Sequence, residues 1–265
     1  TIKSLAASLQ LPLDNAFVST SMKNLQSIPS CLNSVNTSFK REKWLNDHGY
    51  YIGAREIVLG TREEQRYSSN CQSMRSALVE DKCYFIPLDK LLAKILENKN
   101  VARLYRKREV GVDKLPKKVT DFMQTKTFMT HPFYQCYPDG FILHMFIDAF
   151  ETTNVLGSHT SVHKLEGLYC VIDNMPPKYL SKTDSILLIG MWYAEDVKRY
   201  SYDHILNSIV SDLLQLESDN GLTVVIHGKN EVIHGALMSF SADNLGLHAL
   251  FGYLESFNAK YCCRY

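Results

Sequence analysis

The order of the apolar segments after residue 140 constrains the fold of this chain more than any other feature. FILHMFIDAF (141–150), HKLEGLYCVIDN (163–174) and SILLIGMWYA (185–194) each contain a run of apolar residues that predicts a β-strand. The third segment is apolar almost throughout, which is typical of a central strand. Three successive strands joined by short polar stretches predict a meander.

A helix and a further strand follow this meander. The stripe of apolar residues has helical spacing, with Ser201 as the predicted N-cap and Gly221 closing the element. Its members are Ile205, Leu206, Ile209, Val210, Leu213 and Leu214. After it, TVVIHGKNEVIHGALMSFSADN predicts two short strands around the turn GKNE, and the second ends in Asp243.

Three strands, a helix and a strand beside the first describe the start of a ribonuclease H-like fold. We therefore predict an α/β domain with a mixed sheet over residues 140–265. In that arrangement the ends of the first and fourth strands lie side by side, and Asp148 and Asp243 occupy those ends. The apolar run of the first strand ends abruptly at Asp148, with Glu151 three residues later, and this stretch alone does not distinguish Asp148 from an ordinary polar strand end.

Two neighbouring carboxylates repel each other unless a cation lies between them, and their oxygen atoms suit Mg²⁺ or Mn²⁺. Asp148 and Asp243 are accordingly the candidate metal ligands and catalytic residues of a phosphoryl-transfer site. The alternative is that both aspartates simply end strands, where polar residues are common. Glu151, Asp173 and Glu255 are weaker candidates.

The part of the chain before residue 140 has a different composition. Residues 1–39 are rich in Ser and Asn and predict a loosely structured lead-in, whereas 40–139 predicts a basic, mainly helical region. Residues 1–140 contain 21 Lys and Arg against 14 Asp and Glu, and residues 141–265 contain 8 against 14. This asymmetry suggests a basic part that meets a polyanion and an acidic part that holds cations, or two domains that merely differ in composition.

The densest basic segment is RLYRKREVGVDKLPKK, residues 103–118. Its basic residues are candidates for contacts with DNA phosphates: Arg103, Arg106, Lys107, Arg108, Lys114, Lys117 and Lys118. A solvated helix end would give the same pattern, and the single Tyr105 offers too little aromatic character for single-strand binding.

Cysteine usage and hydropathy bear on the compartment. The seven cysteines are odd in number and scattered, which favours reduced thiols inside the cell. No window approaches the roughly 18 apolar residues of a membrane helix, so we expect no membrane association. The chain does not begin with Met and has no long apolar segment near its start, so we expect a fragment without a secretory signal.

Several segments resemble one family of eukaryotic mobile-element proteins. DAFETTNVLGSHTSVHKLEGLYCVIDN, HGALMSFSADNLGLHALFGYLESF and the terminal CCRY are similar to the catalytic region of transposases of the DDE, ribonuclease H-like class. The likeness is greatest to the Kyakuja–Dileera–Zisupton type, with hAT elements as relatives, and upstream segments such as LNSVNTSFKREKWL extend it over most of 30–265.

The resemblance implies roles for particular residues. Asp148 matches the first catalytic aspartate and Asp243 the second, while the third acid, a glutamate beyond an inserted domain, has no match within this chain. Cys263 resembles the first cysteine of a Cys-x-x-Cys pair that helps to hold a structural zinc in relatives. Four ligands are needed for such a site, so zinc is expected only in a longer chain.

Three hypotheses follow. The first is a nuclear DDE-type transposase, or a protein derived from one, that cleaves and joins DNA strands with Mg²⁺ or Mn²⁺ held by Asp148 and Asp243, and that could act as a homo-oligomer. The second is a catalytically inactive, transposase-derived module that binds DNA or protein. The third is an unrelated metal-dependent nuclease whose third acid comes from within the chain, such as Glu151 or Glu255.

Overall fold

The computed structural model describes residues 35–49, 51–68, 72–105, 119, 122–151 and 164–253. The chain divides into two compact units, Thr1–Gly53 and Ala54–Tyr265. In the first unit, helix α1 (Ser38–Asp47) begins after Thr37, whose side chain accepts a hydrogen bond from the Lys40 backbone N–H. None of the side chains of α1 is buried. The lead-in predicted for residues 1–39 lies almost wholly outside the described residues.

The second unit contains eight strands among its described residues. They are β1 (Arg55–Ser68), β2 (Ser73–Phe85), β3 (Phe141–Glu151), β4 (Lys164–Ile172), β5 (Leu187–Tyr193), β6 (Leu222–Ile226), β7 (Lys229–Ile233) and β8 (Gly235–Ser241). Six of them form one sheet in the order β1-β2-β5-β4-β3-β8, and β6 and β7 pair separately as a hairpin. All neighbours in the large sheet are antiparallel except β3 and β8, which are parallel.

Helices connect these strands. They are α2 (Leu88–Glu97), α3 (Lys99–Ala102), α4 (Lys126–Met129), α5 (Pro132–Cys136), α6 (Pro177–Leu180), α7 (Ala194–Glu217) and α8 (Asn244–Leu250), with short 3₁₀ turns at Phe122–Gln124 and Thr183–Ser185. No helix among the described residues reaches the length and apolar character that a membrane crossing requires.

The predicted meander, helix and final strand are present as β3, β4, β5, α7 and β8, so the α/β class with a mixed sheet is confirmed. The C-terminal stretch differs in detail, because 222–243 forms three strands rather than two. Its first turn lies at His227 and Gly228, both with positive φ (48° and 76°), as in the two-residue hairpins that match strand twist. The helix also begins earlier than predicted, at Ala194, and Ser201 lies inside it at a break.

The long β1–β2 hairpin is the largest departure from the sequence-based prediction. The sequence predicts a mainly helical region over 40–139, whereas β1 runs from Arg55 to Ser68 and pairs along its length with β2, down to Ser73. Between Asp81 and the hairpin turn, most side chains of both strands are exposed. The sequence there shows neither a clear alternation of apolar and polar residues nor a continuous apolar run, which are the two patterns that predict strands. Backbone hydrogen bonds along the hairpin hold this part together instead.

Helix α7 packs on one face of the sheet and forms the main core with it. Leu143, Met145 and Ile147 of β3 contribute to that core, together with Trp192 of β5 and Ile205 of α7. A smaller cluster lies on the other face, where Phe128, Phe133 and Tyr134 pack against Ile142 and Ala236. Because side chains alternate along a strand, even-numbered residues of β3 lie on this second face.

Candidate functional site

Asp148 lies on β3, opposite Gly167 of β4. Its neighbour Ile147 is buried in the main core, whereas Asp148 is exposed and lies on the face away from α7. The strand continues for three residues beyond it, to Glu151. The aspartate is therefore held on a paired, regular strand near its carboxyl end.

Asp243 follows β8 by two residues and begins a helix. It is the N-cap of α8, and its Oδ1 accepts a hydrogen bond from the Gly246 backbone N–H at 2.5 Å. Capping of this kind is a common structural role of aspartate. It also fixes the orientation of the carboxylate, because one of its two oxygens is tied to the backbone.

The pairing of β3 with β8 places the two aspartates at the same end of neighbouring strands. The last pair in register is Phe146 with Ser241, and each aspartate comes two residues after its member of that pair. Since the strands are parallel, both aspartates therefore lie near the same end of the sheet, although the pairing itself stops at Phe146 and Ser241.

Glu166 of β4 is a carboxylate near this end of the sheet that was not singled out from the sequence. It lies on the face that α7 covers. Its Oε2 accepts hydrogen bonds from Trp192 Nε1 and Tyr202 Oη, both at 2.9 Å. Burial raises the pKa of Glu166, these two hydrogen bonds lower it, and the negative charge of Asp243 raises it further. The signal available in the sequence was a glutamate within the otherwise largely apolar stretch LEGLYCVI.

Aromatic side chains flank Asp148. The rings of Phe146 and Tyr169 stack with their centroids 5.0 Å apart. A Cβ atom at Gly167, the residue opposite Asp148, would lie 2.7 Å from Tyr169 Oη, so the absence of a side chain at Gly167 makes room for that ring. The rings of Phe146 and Tyr169 therefore contribute to the surface next to Asp148.

Asp148 and Asp243 offer carboxylate oxygens, which are the ligands that Mg²⁺ and Mn²⁺ prefer. Among the residues that the structure describes, no three His, Cys, Asp or Glu side chains form a group that could hold a metal ion. Two carboxylates can still bind one Mg²⁺ or Mn²⁺, since such ions keep several waters and take further ligands from substrate phosphates. A second ion would need an additional acid.

The structure describes only some of the other residues singled out in the sequence. Arg103 is exposed just after α3, whereas the six other predicted DNA contacts, between residues 106 and 118, lie outside the described residues. The same holds for Cys263 and Glu255. Glu151 ends β3 opposite Lys164, and Asp173 is buried beside His144.

Taken together, these elements define an α/β protein with a mixed sheet and a pair of aspartates at one end of two parallel strands. No model of a known protein family matches the sequence. A search of curated proteins finds no match either.

Proposed function

We propose that this chain carries two of the acids of a ribonuclease H-like, DDE-type site that cleaves and transfers DNA strands. The observation that supports this proposal is the parallel register of β3 and β8, which brings Asp148 and Asp243 to neighbouring strand ends. The strand order β5-β4-β3-β8, with α7 between β5 and β8, is compatible with that fold.

The two aspartates that would hold a divalent cation belong to different elements, a strand and the start of a helix. Asp148 projects from β3 where this strand pairs with β4, and Asp243 is oriented by its hydrogen bond from Gly246. Because Oδ1 of Asp243 serves the helix cap, Oδ2 is the oxygen that would face the cation. A bound Mg²⁺ or Mn²⁺ would polarise a phosphate oxygen and promote attack by a water or a 3′-hydroxyl.

DNA would be held by the basic segment that starts at Arg103. Cations of the β1–β2 hairpin are less suited to this task, because several of them pair with carboxylates: Arg66 with Glu64, Lys82 with Glu56 and Glu80, and Arg62 with Asp81. Phosphate contacts from Arg103 and its successors would bind DNA without sequence preference and weaken as salt rises.

Manganese binding tests the site directly. We expect the chain to bind Mn²⁺, detected by calorimetry or by loss of the free-ion paramagnetic signal, and expect Asp148→Asn and Asp243→Asn each to weaken binding by at least an order of magnitude. Asn also caps helices well, so Asp243→Asn removes the charge while keeping α8 in place. Asp184→Asn, at an exposed aspartate in the turn before β5, is the matched control and should bind like the wild type.

Nicking of supercoiled DNA in the presence of Mn²⁺ is the corresponding activity assay. The proposal predicts that nicking by a chain containing the third acid is lost in Asp148→Asn. Manganese affinity that is unchanged in both asparagine variants would overturn the proposed site.

A second candidate function is a transposase-derived module that binds DNA or protein without catalysis. Two observations favour it: Asp243 already has a structural role as the N-cap of α8, and no third acid joins the pair among the described residues. This candidate predicts salt-dependent DNA binding that is indifferent to Mn²⁺ and to Asp148→Asn. The manganese titration therefore separates the two functions.

A further inference from the structure

Away from the two aspartates, three polar side chains form a continuous chain on the same face of the sheet. His144 Nδ1 lies 2.6 Å from Ser239 Oγ, and His144 Nε2 lies 3.5 Å from Asp173 Oδ2. The histidine is on β3, the serine on β8, and the aspartate directly follows β4. The imidazole of His144 on the middle strand therefore lies between a hydroxyl from one neighbouring strand and a carboxylate at the end of the other.

Asp173, the carboxylate of this group of three, is held in place by hydrogen bonds of the turn that carries it. Asp173 is 7% exposed, and its backbone N–H donates to the Ile142 carbonyl at 2.9 Å. The next residue, Asn174, accepts from the Ile142 N–H at 2.7 Å and donates to the Gly140 carbonyl. The turn that carries Asp173 is thus fastened to the start of β3, two residues before His144.

The imidazole is held from the side as well. The ring of Phe122 packs edge-on against His144, with centroids 5.2 Å apart and planes at 84°. A local irregularity in the pairing of β3 and β8 supplies the serine: Leu143 pairs with Leu237, but His144 pairs with Ser239. Without this irregularity Met238 would stand opposite His144, so the bulge is what puts a hydroxyl within reach of the ring.

The carboxylate selects the tautomer of the ring. If Nε2 carried the lone pair, that lone pair would face the negative Asp173, which is unfavourable, so Nε2 carries the proton. Nδ1 then has its lone pair directed at Ser239 and accepts a hydrogen bond from the serine hydroxyl. This is the polarity that a general base needs in order to activate a serine.

We propose that Ser239 is an activated nucleophile, with His144 as its general base and Asp173 as the positioning residue, and that it attacks small carboxylic esters. Ser239 is exposed, so a substrate can reach it from solvent. Ser239 Oγ forms a bond to the acyl carbon while His144 Nδ1 takes its proton. The ester C–O bond breaks, and the alcohol leaves with that proton. Water then attacks the acyl-serine, again giving a proton to His144, and releases the carboxylic acid and free Ser239.

A fluorophosphonate probe tests the reactivity of this serine without requiring a known substrate. The reaction forms an Oγ–P bond and expels fluoride, with the proton taken by His144. We expect mass spectrometry to map the label to Ser239, and expect p-nitrophenyl acetate to be hydrolysed with the same dependence on sequence changes. Ser239→Ala should abolish both signals, whereas Ser241→Ala, at an exposed serine two residues along the same strand, should change neither.

The histidine and aspartate are tested by the rate of labelling. His144→Gln should slow labelling of Ser239 by at least tenfold, and Asp173→Asn should slow it with the fold retained, as checked by circular dichroism. Ser239→Cys provides a second variant, since a thiol beside His144 should react with iodoacetamide faster than free cysteine does. Absence of label at Ser239, or equal labelling rates in the wild type and His144→Gln, would overturn the proposal. Asp184→Asn, at an exposed aspartate in the turn before β5, should label like the wild type.

Discussion

At the scale of single residues, two of the three buried aspartates that the structure describes lie where the hairpin meets α7. Asp81 is 2% exposed and contacts Arg62, Arg199 and the Tyr200 hydroxyl. Asp196, in the first turn of α7, is 1% exposed, and its Oδ2 has no hydrogen-bond partner. Neither aspartate was singled out in the sequence, because an isolated acid in a polar stretch gives no sign of burial.

The protonation of Asp196 should make stability depend on pH. Burial raises its pKa, the negative charge of Asp81 raises it further, and Arg199 and Arg62 lower it, with a net increase. The folded state then holds the proton more tightly than the unfolded state does. The free energy of unfolding therefore falls as the pH rises from the pKa of Asp196 in the unfolded state to its raised pKa in the folded state. Asp196→Asn should therefore be more stable than the wild type at pH 7, and the difference should shrink as the pH is lowered toward 4.

Urea unfolding between pH 4 and 8 measures this effect, and Asp203→Asn, at an exposed position on the same helix, is the matched control. A loss of stability in Asp196→Asn at pH 7 would show that attraction to Arg199 and Arg62 outweighs the cost of burial.

At the scale of elements, α7 consists of two helical segments joined at a strained residue. Ser201 has φ 64° and ψ 159° inside Ala194–Glu217, a region of backbone conformation that is essentially restricted to glycine. The tyrosines on either side reach different strands: Tyr200 Oη donates to Asp81 of β2, and Tyr202 Oη donates to Glu166 of β4. These two hydrogen bonds account for the break, since they anchor adjacent residues to different parts of the sheet.

Replacing Ser201 with glycine should relieve the strain. A non-glycine residue in this conformation costs on the order of 1–3 kcal/mol, part of which is offset by the greater freedom of glycine in the unfolded chain. We expect Ser201→Gly to raise the free energy of unfolding by about 1 kcal/mol in urea titrations. Ser211→Gly, at an exposed position within the regular part of α7, should instead lower it by roughly 0.5 kcal/mol. Equal losses in both variants would contradict the assignment of strain to Ser201.

At the scale of the whole molecule, the core of the second unit is built from residues on both sides of residue 140. The hairpin and α2 contribute Leu59, Cys83, Phe85, Leu88 and Leu92 to the main core, all buried. The ring centroids of Phe85 and Trp192 lie 5.8 Å apart. The Phe85 ring occupies the space that a side chain at Gly190 would need. Residues within 40–139 therefore share one core with residues after 140.

This shared core predicts how fragments of the chain behave. A fragment of residues 54–265 should unfold cooperatively, because it retains the complete sheet and the core beneath α7. A fragment of residues 140–265 should lose cooperative unfolding and bind hydrophobic dyes, since it exposes the apolar surface that Leu59, Phe85 and Leu92 cover. Thermal unfolding followed by circular dichroism tests both, and a cooperative transition in 140–265 would instead support a domain boundary near residue 140.

Much of the arrangement could be predicted where burial leaves a pattern in the sequence. The apolar runs of β3, β4 and β5 and the stripe of α7 arise because each element buries one or both faces. Their order predicts that Asp148 and Asp243 end the first and last strands, whereas Asp148 lies three residues before the end of β3 and Asp243 lies two residues after β8. The β1–β2 hairpin could not be found in this way, since most of it is exposed and is held by backbone hydrogen bonds that any sequence can make.

What the sequence by itself determined is therefore the α/β class with a mixed sheet, and the order of the meander, the long helix and the final strand. Only the tertiary structure decided which residues meet across strands: the register that aligns β3 with β8, the cap that ties Asp243 to Gly246, and the irregularity that brings Ser239 to His144. The physical reason is that alternation and helical periodicity record which face of an element is buried, whereas register, bulges and caps are set by contacts between residues far apart in the chain.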